Sequence, residues 1–91
     1  MALADDFSVE RCSGYAAAYD VAPSQDNIGK LMSAASCHEK GHRLADALKA
    51  WKRVAVESKN ADTKATAETN ATRLDASVAT LVIAQIAVYF R

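Results

Sequence analysis

Residues that interrupt helices are scarce in this sequence. Its 91 residues include only three glycines and one proline. Half of the chain, 51%, is hydrophobic, and much of that fraction is alanine, which has the highest helix propensity. A chain this short folds as one small domain. We therefore predict a single all-α domain over residues 1–91.

An excess of charge of either sign is also missing. Eleven basic and eleven acidic side chains give a formal net charge of zero. Nucleic-acid-binding domains carry a basic patch or stripe, and this sequence has none. A glycine-rich loop that could hold phosphates is absent as well. We predict no nucleic-acid partner and no cofactor.

The sequence has no hydrophobic run of membrane-spanning length. The longest uncharged segment covers residues 76–90, which is 15 residues, whereas a spanning helix needs about 20. The first four residues, Met1–Ala4, lack the positive region and apolar core of a signal peptide. We predict no membrane span, and an exported form would have lost its leader by cleavage.

Cysteine is limited to Cys12 and Cys37. An even count in a small chain is compatible with one disulfide. Such a bond would close a loop of about 25 residues and stabilise the fold by about 3 kcal/mol. It would also place the protein in an oxidising compartment. The alternative is two buried thiols in a reducing compartment.

Apolar residues at helical spacing predict four helices. The first is expected to be capped by Asp5–Asp6 and to end near Val21, because the residue before Pro23 avoids the helical region. Ser24 is a candidate N-cap for the second helix, and Gly41 is placed to end it in a left-handed turn.

The third helix has a strong apolar stripe from Leu44 to Ala55. Tyr15, Tyr19 and Trp51 are predicted to lie mostly in the core. Asn60 or Asp62 is expected to cap the fourth helix. The cations predicted to form a solvated face are Lys49, Lys52, Arg53 and Lys59.

The C-terminal segment from residue 79 onward is β-branched and aromatic. It could prolong the fourth helix or form a lone strand. A lone strand needs a pairing edge, so we favour the helix. The segment is too apolar to remain exposed, and self-association through Leu81 to Phe90 would cover it.

The pattern H-E-x-x-H occurs at His38, Glu39 and His42. Two histidines four residues apart on one helix can bind zinc, and the glutamate then acts as general base. A catalytic zinc needs a third protein ligand, for which Glu57 and Glu68 are the candidates. Gly41 lies within the motif, and a helix ending there would separate the two imidazoles. We predict a non-catalytic protein, with a small zinc peptidase as the alternative.

The middle of the chain carries positions that match a known helical repeat. They are Tyr15, Ala18 and Pro23 at the close of one repeat, and Leu31, Ala34, Ala35, Gly41, His42, Leu44, Ala47, Trp51 and Val54 in the next. On these positions the chain resembles tetratricopeptide repeats, which stack antiparallel helix pairs. His42 stands where the family usually has glycine, and histidine tolerates the left-handed conformation better than most residues.

A narrower likeness rests on Cys12, Tyr15–Ala18, Pro23-Ser24, Ala35–Lys40 and the segment Ala71–Ile83. These resemble tetratricopeptide-like envelope proteins of myxobacteria and related bacteria. The resemblance implies a periplasmic or secreted location, with a cytoplasmic one as the alternative. It further implies a protein-interaction scaffold whose groove is lined by the first helix of each pair, here by Met32, Ser36 and Glu39.

Overall fold

Helices make up most of the described chain. The computed structural model describes the backbone of residues 7–89 and the side chains of residues 7–78. The helices are α1 (Val9–Val21), α2 (Ile28–Lys40), α3 (Leu44–Glu57) and α4 (Ala61–Tyr89), and a 3-10 turn over Gln25–Asn27 leads into α2. No strand occurs within residues 7–89. The predicted all-α fold is confirmed, and the C-terminal segment is helical as far as Tyr89.

The helix ends differ in part from the predicted ones. The Ser8 hydroxyl caps α1 by accepting a hydrogen bond from the Arg11 amide at 3.3 Å. The predicted capping residues Asp5–Asp6 lie outside the described residues. Ser24 precedes the 3-10 turn and makes no side-chain cap. Helix α2 begins after this turn, at Ile28. The predicted Asn60 cap of α4 is confirmed, because its Oδ1 accepts from the Thr63 amide at 3.0 Å.

Successive helices pack on each other in chain order, α1 on α2, α2 on α3 and α3 on α4. The connections after α2 and α3 are short, so neighbouring helices run antiparallel. Their shared core consists of Tyr19, Ile28, Leu31, Ala35, Ala47, Trp51, Val54, Ala67, Ala71 and Leu74. The alanines in this set allow the helix backbones to approach closely. Trp51 and Tyr19 lie in the core as predicted, whereas Tyr15 is only half-buried.

The turn between α2 and α3 forms a Schellman motif. The Arg43 amide donates to the His38 carbonyl at 2.9 Å, and the His42 amide donates to the Glu39 carbonyl at 3.0 Å. His42 takes the left-handed position with φ of 62°, which is the position where the resemblance to tetratricopeptide repeats places it. Gly41 has φ of −84°, so the prediction of a left-handed glycine at that position is wrong.

We expect His42→Gly to stabilise the protein by about 0.5–1 kcal/mol. The left-handed conformation costs an L-residue about 1–2 kcal/mol, and glycine's greater freedom in the unfolded chain offsets part of that gain. Urea unfolding followed by circular dichroism measures the change.

Gly41→Ala is the matched control, and we expect it to destabilise the protein by about 1 kcal/mol. Its backbone suits alanine, but an added Cβ would lie 2.6 Å from Arg43 Nη2 and displace the guanidinium group. A stabilising Gly41→Ala or a destabilising His42→Gly would contradict this account of the turn.

Candidate functional site

Helix α2 packs between α1 and α3 and keeps one open face. Its inner face is buried against α1 and α3 through residues such as Leu31, Ala34 and Ala35. The open face runs the length of the helix. It consists of Gly29, Ser33 and Lys40, which are exposed, and Met32, Ser36 and Glu39, which are half-buried. This open face of α2 is the candidate binding surface.

The three predicted groove residues all lie on this face but have different surroundings. Met32 packs against the hydrophobic core. Ser36 lines a cleft between α1 and α2. Glu39 Oε1 accepts a hydrogen bond from Arg73 Nη2 of α4 at 2.9 Å. The three side chains therefore share a helix face but do not converge on one opening.

The Glu39 carboxylate connects three helices. Its bond to Arg73 is the main reason that its pKa lies below the ordinary value, and the Trp51 indole contributes in the same direction. Trp51 Nε1 is buried and has no partner at hydrogen-bond distance within the described residues. Glu39 is thus held in an ion pair with Arg73.

The cleft between α1 and α2 has a volume of about 280 Å³. Its lining residues are Phe7, Arg11, Tyr15, Ser33, Ser36, Cys37 and Lys40. Among residues 7–78, two cations and three hydroxyl groups face this space and no carboxylate lines it. Tyr15, which was predicted to lie mostly in the core, is half-buried because it borders the cleft.

The cleft is bordered by Cys37, which pairs with Cys12. The Cys12 and Cys37 sulfurs lie 2.02 Å apart, and their Cα atoms are separated by 5.4 Å, within the range of disulfides. The predicted pairing of these cysteines thus has disulfide geometry in the fold. It joins α1 to α2 beside the N-terminal end of α1.

Arg43 makes several contacts at the same end of the helix stack. Its Nε donates to His38 Nδ1 at 3.2 Å, and its Nη2 donates to the Phe7 carbonyl and contacts Cys12 Sγ. The guanidinium group occupies the space that a Cβ at position 41 would fill. A side chain at position 41 would therefore displace this guanidinium group. The contacts of Arg43 with Phe7 and Cys12 could not be recognised from the sequence, because these residues lie more than 30 positions from Arg43.

The H-E-x-x-H residues are divided between two structural elements. His38 is buried near the end of α2, which terminates at Lys40, whereas His42 is exposed in the following turn. The continuous helix that a zincin motif needs is absent here. Within the part of the chain whose side chains are described, no group of three histidine, cysteine, aspartate or glutamate side chains is placed to hold a metal ion.

We expect the free energy of unfolding to decrease as the pH falls below 6.5. Burial is the main cause that lowers the pKa of His38 from its ordinary 6.5, and Arg43 adds to the effect while Asp46 opposes it. The unfolded chain therefore binds a proton more readily than the folded chain, and stability present above pH 6.5 is lost on acidification. Urea unfolding at successive pH values measures this decrease.

His38→Gln is the control for this pH dependence, since glutamine does not titrate. The carboxyl groups of Glu39, Glu57 and Asp20 also have lowered pKa values. Their contribution is lost only below ordinary values of 4.5 and 3.8, so the two pH ranges are separable. An identical decrease between pH 6.5 and 5 in the variant would contradict the assignment to His38.

A second polar cluster joins α1 to the C-terminal end of α3. Arg53 pairs with Asp20, donates through Nε to Glu57 Oε2 at 2.8 Å, and lies 5.3 Å from the Tyr19 ring centroid. The Tyr19 hydroxyl donates to Glu57 Oε1 at 3.0 Å. The Arg53 guanidinium is the main cause of the lowered pKa of both carboxyl groups. The prediction of a solvated Arg53 is wrong, although its four-residue spacing from Glu57 was a visible signal.

None of the helices described over residues 7–89 combines the length and the hydropathy that a membrane span requires. The comparisons with known proteins found no matching family model, no matching curated protein and no matching solved structure.

Proposed function

We propose that this domain is a non-catalytic protein-interaction module that binds its partner on the open face of α2. The observation that carries the proposal is the position of this helix. Its inner side is buried in the core, its flanks are held by α1 and by the Glu39–Arg73 pair, and its outer side remains accessible along its length. A rigid helix with a free polar face suits the capture of a partner segment.

Two contacts between helices join residues with the same sequence separation, which supports a repeat-like scaffold. The Glu39–Arg73 pair between α2 and α4 spans 34 positions. Arg53 of α3 lies over the ring of Tyr19 of α1, and these two residues are also 34 positions apart. Tetratricopeptide repeats are about 34 residues long. We accordingly propose that α2 and α4 are equivalent first helices of successive units, and α1 and α3 equivalent second helices.

Site-specific photo-crosslinking tests the proposed surface. A photoreactive residue at Ser33, on the open face, is expected to yield a discrete adduct with a partner in the cells that produce the protein. The matched control is the same residue at Lys52, which is exposed on α3. Adducts of equal yield at both positions, or none at Ser33, would contradict the proposal.

The non-catalytic assignment has its own test. Zinc content is measured on protein purified without chelator, and peptide hydrolysis is compared between the wild type and His42→Ala. His42 is exposed, so its replacement does not disturb the core. We expect no stoichiometric zinc and no activity that depends on His42. Bound zinc that is lost in the variant would favour the peptidase instead.

Helix α4 favours oligomerisation as a second candidate function. It has 29 residues, whereas the neighbouring α3 has 14. At 1.5 Å per residue these lengths are about 43 and 21 Å. Helix α4 is thus about twice as long as the helix it packs against, and its sequence from Leu81 to Phe90 has no charge. Phe90 itself lies outside the described residues.

Light scattering on the full chain and on a chain ending at Ala79 tests this candidate. Self-association is expected to disappear in the shorter chain, and an unchanged oligomeric state would exclude it. We further propose an oxidising location such as the periplasm, which the paired cysteines support. Free thiols in protein isolated without reductant would contradict that location.

A further inference from the structure

We infer that the cleft between α1 and α2 binds an acidic segment of a partner protein. This inference rests on the proposed function, since the cleft borders the open face of α2, and it specifies the chemistry of the partner. The ligand class is a peptide segment whose side-chain carboxylates enter the cleft.

The charged side chains described along the cleft are all positive. Arg11 of α1 and Lys40 of α2 line it. Neither cation forms an ion pair with a carboxylate among residues 7–78. The chain as a whole has no net charge, so this is a local feature. A carboxylate is the group that guanidinium and ammonium ions bind most readily in proteins.

The remaining lining residues suit the same ligand. Ser33, Ser36 and Tyr15 provide hydroxyl groups that can donate hydrogen bonds to carboxylate oxygens. Phe7 provides an apolar wall, and Lys40 Nζ lies 5.7 Å from the centroid of its ring. The bond between Cys12 and Cys37, of which Cys37 lines the cleft, links α1 to α2 and limits their separation. The cleft is therefore preorganised, which lowers the entropic cost of binding.

On the other flank of α2, an ion pair connects this helix to α4. There, α4 contributes Arg73 and α2 contributes Glu39, and the two form an ion pair. On the cleft flank this chain supplies both cations, Arg11 and Lys40. A partner segment that enters the cleft would then supply the complementary carboxylates. Charge complementarity thus identifies an acidic partner.

Titration of the isotope-labelled full chain tests the inference by NMR. The probe is a peptide with glutamate at every third or fourth position and alanine elsewhere, and its glutamine counterpart is the uncharged control. At about 50 mM salt, we expect amide shift changes at Arg11, Ser33, Ser36 and Lys40. The glutamine peptide should cause none.

Paired variants separate specific from general electrostatic binding. Arg11→Gln/Lys40→Gln is expected to weaken peptide binding about tenfold, since each exposed ion pair contributes up to about 1 kcal/mol. Lys52→Gln/Lys64→Gln removes the same charge from exposed sites outside the cleft. This control should bind as the wild type does. Equal weakening in both variants would overturn the inference.

Two other outcomes would also overturn it. The first is absence of binding, or shift changes confined to Met32, Glu39 and Arg73. Crosslinking at Ser33 to an endogenous partner would still support the proposed function in that case. The second is binding that occurs only in an Asp5→Asn/Asp6→Asn variant. That result would assign the cleft to the acidic residues of the chain's own N-terminal segment.

Discussion

Loss of the link between Cys12 and Cys37 is expected to lower the free energy of unfolding by about 3 kcal/mol. The link closes a loop over a sequence separation of 25 residues, and a crosslink of this span restricts the unfolded chain by about that amount. For a domain of this size the melting temperature should fall by roughly 15 °C. Calorimetry with and without reductant measures the change.

Cys12→Ser/Cys37→Ser is the control for direct effects of the reductant. This variant should melt at the lower temperature in both conditions. Intact mass should show a gain of two hydrogen atoms on reduction of the wild type and no gain for the variant. Equal melting temperatures of the oxidised wild type and the variant would show that the cysteines do not form a stabilising bond in solution.

Trp51→Ala is expected to lower the free energy of unfolding by about 3–5 kcal/mol. The indole is 7% exposed and belongs to the cluster that joins α2, α3 and α4. Its truncation leaves a large cavity that the helices cannot fully close. Chemical unfolding followed by circular dichroism measures the loss, because the variant no longer has a tryptophan to report by fluorescence.

Trp51→Phe is the matched variant, and we expect it to change stability by about 1 kcal/mol or less. It retains an aromatic ring and removes a buried N–H that has no hydrogen-bond partner among the described residues, so the lost volume is partly offset. A phenylalanine variant as unstable as the alanine variant would show that the N–H forms a bond in solution, with Glu39 as the nearby acceptor. A small effect of Trp51→Ala would contradict its place in the core.

The order of the helices could be predicted because local signals agree. Pro23 ends α1, Asn60 caps α4, and apolar residues recur at helical spacing between these points. The pairing of the cysteines was open to two interpretations, and the folded geometry favours the bond. The number of helices follows from propensity and spacing, which act within a few residues of each position.

The candidate site was only partly predictable. Met32, Ser36 and Glu39 do share the open face of α2, because residues at this spacing lie on one side of a helix. The cleft was not foreseen, since its cations come from Arg11 and Lys40, which belong to different helices. Tyr15 was expected in the core because spacing alone does not reveal where a helix face meets solvent.

The sequence by itself determined the helical class and the approximate helix limits. Only the tertiary structure decided the roles of Arg43 and Arg53, which hold residues more than 30 positions away. It also decided that His38 and His42 belong to different elements. Helix formation depends on neighbours in sequence, whereas ion pairs and clefts depend on how whole helices pack, and the pattern within one helix does not encode that geometry.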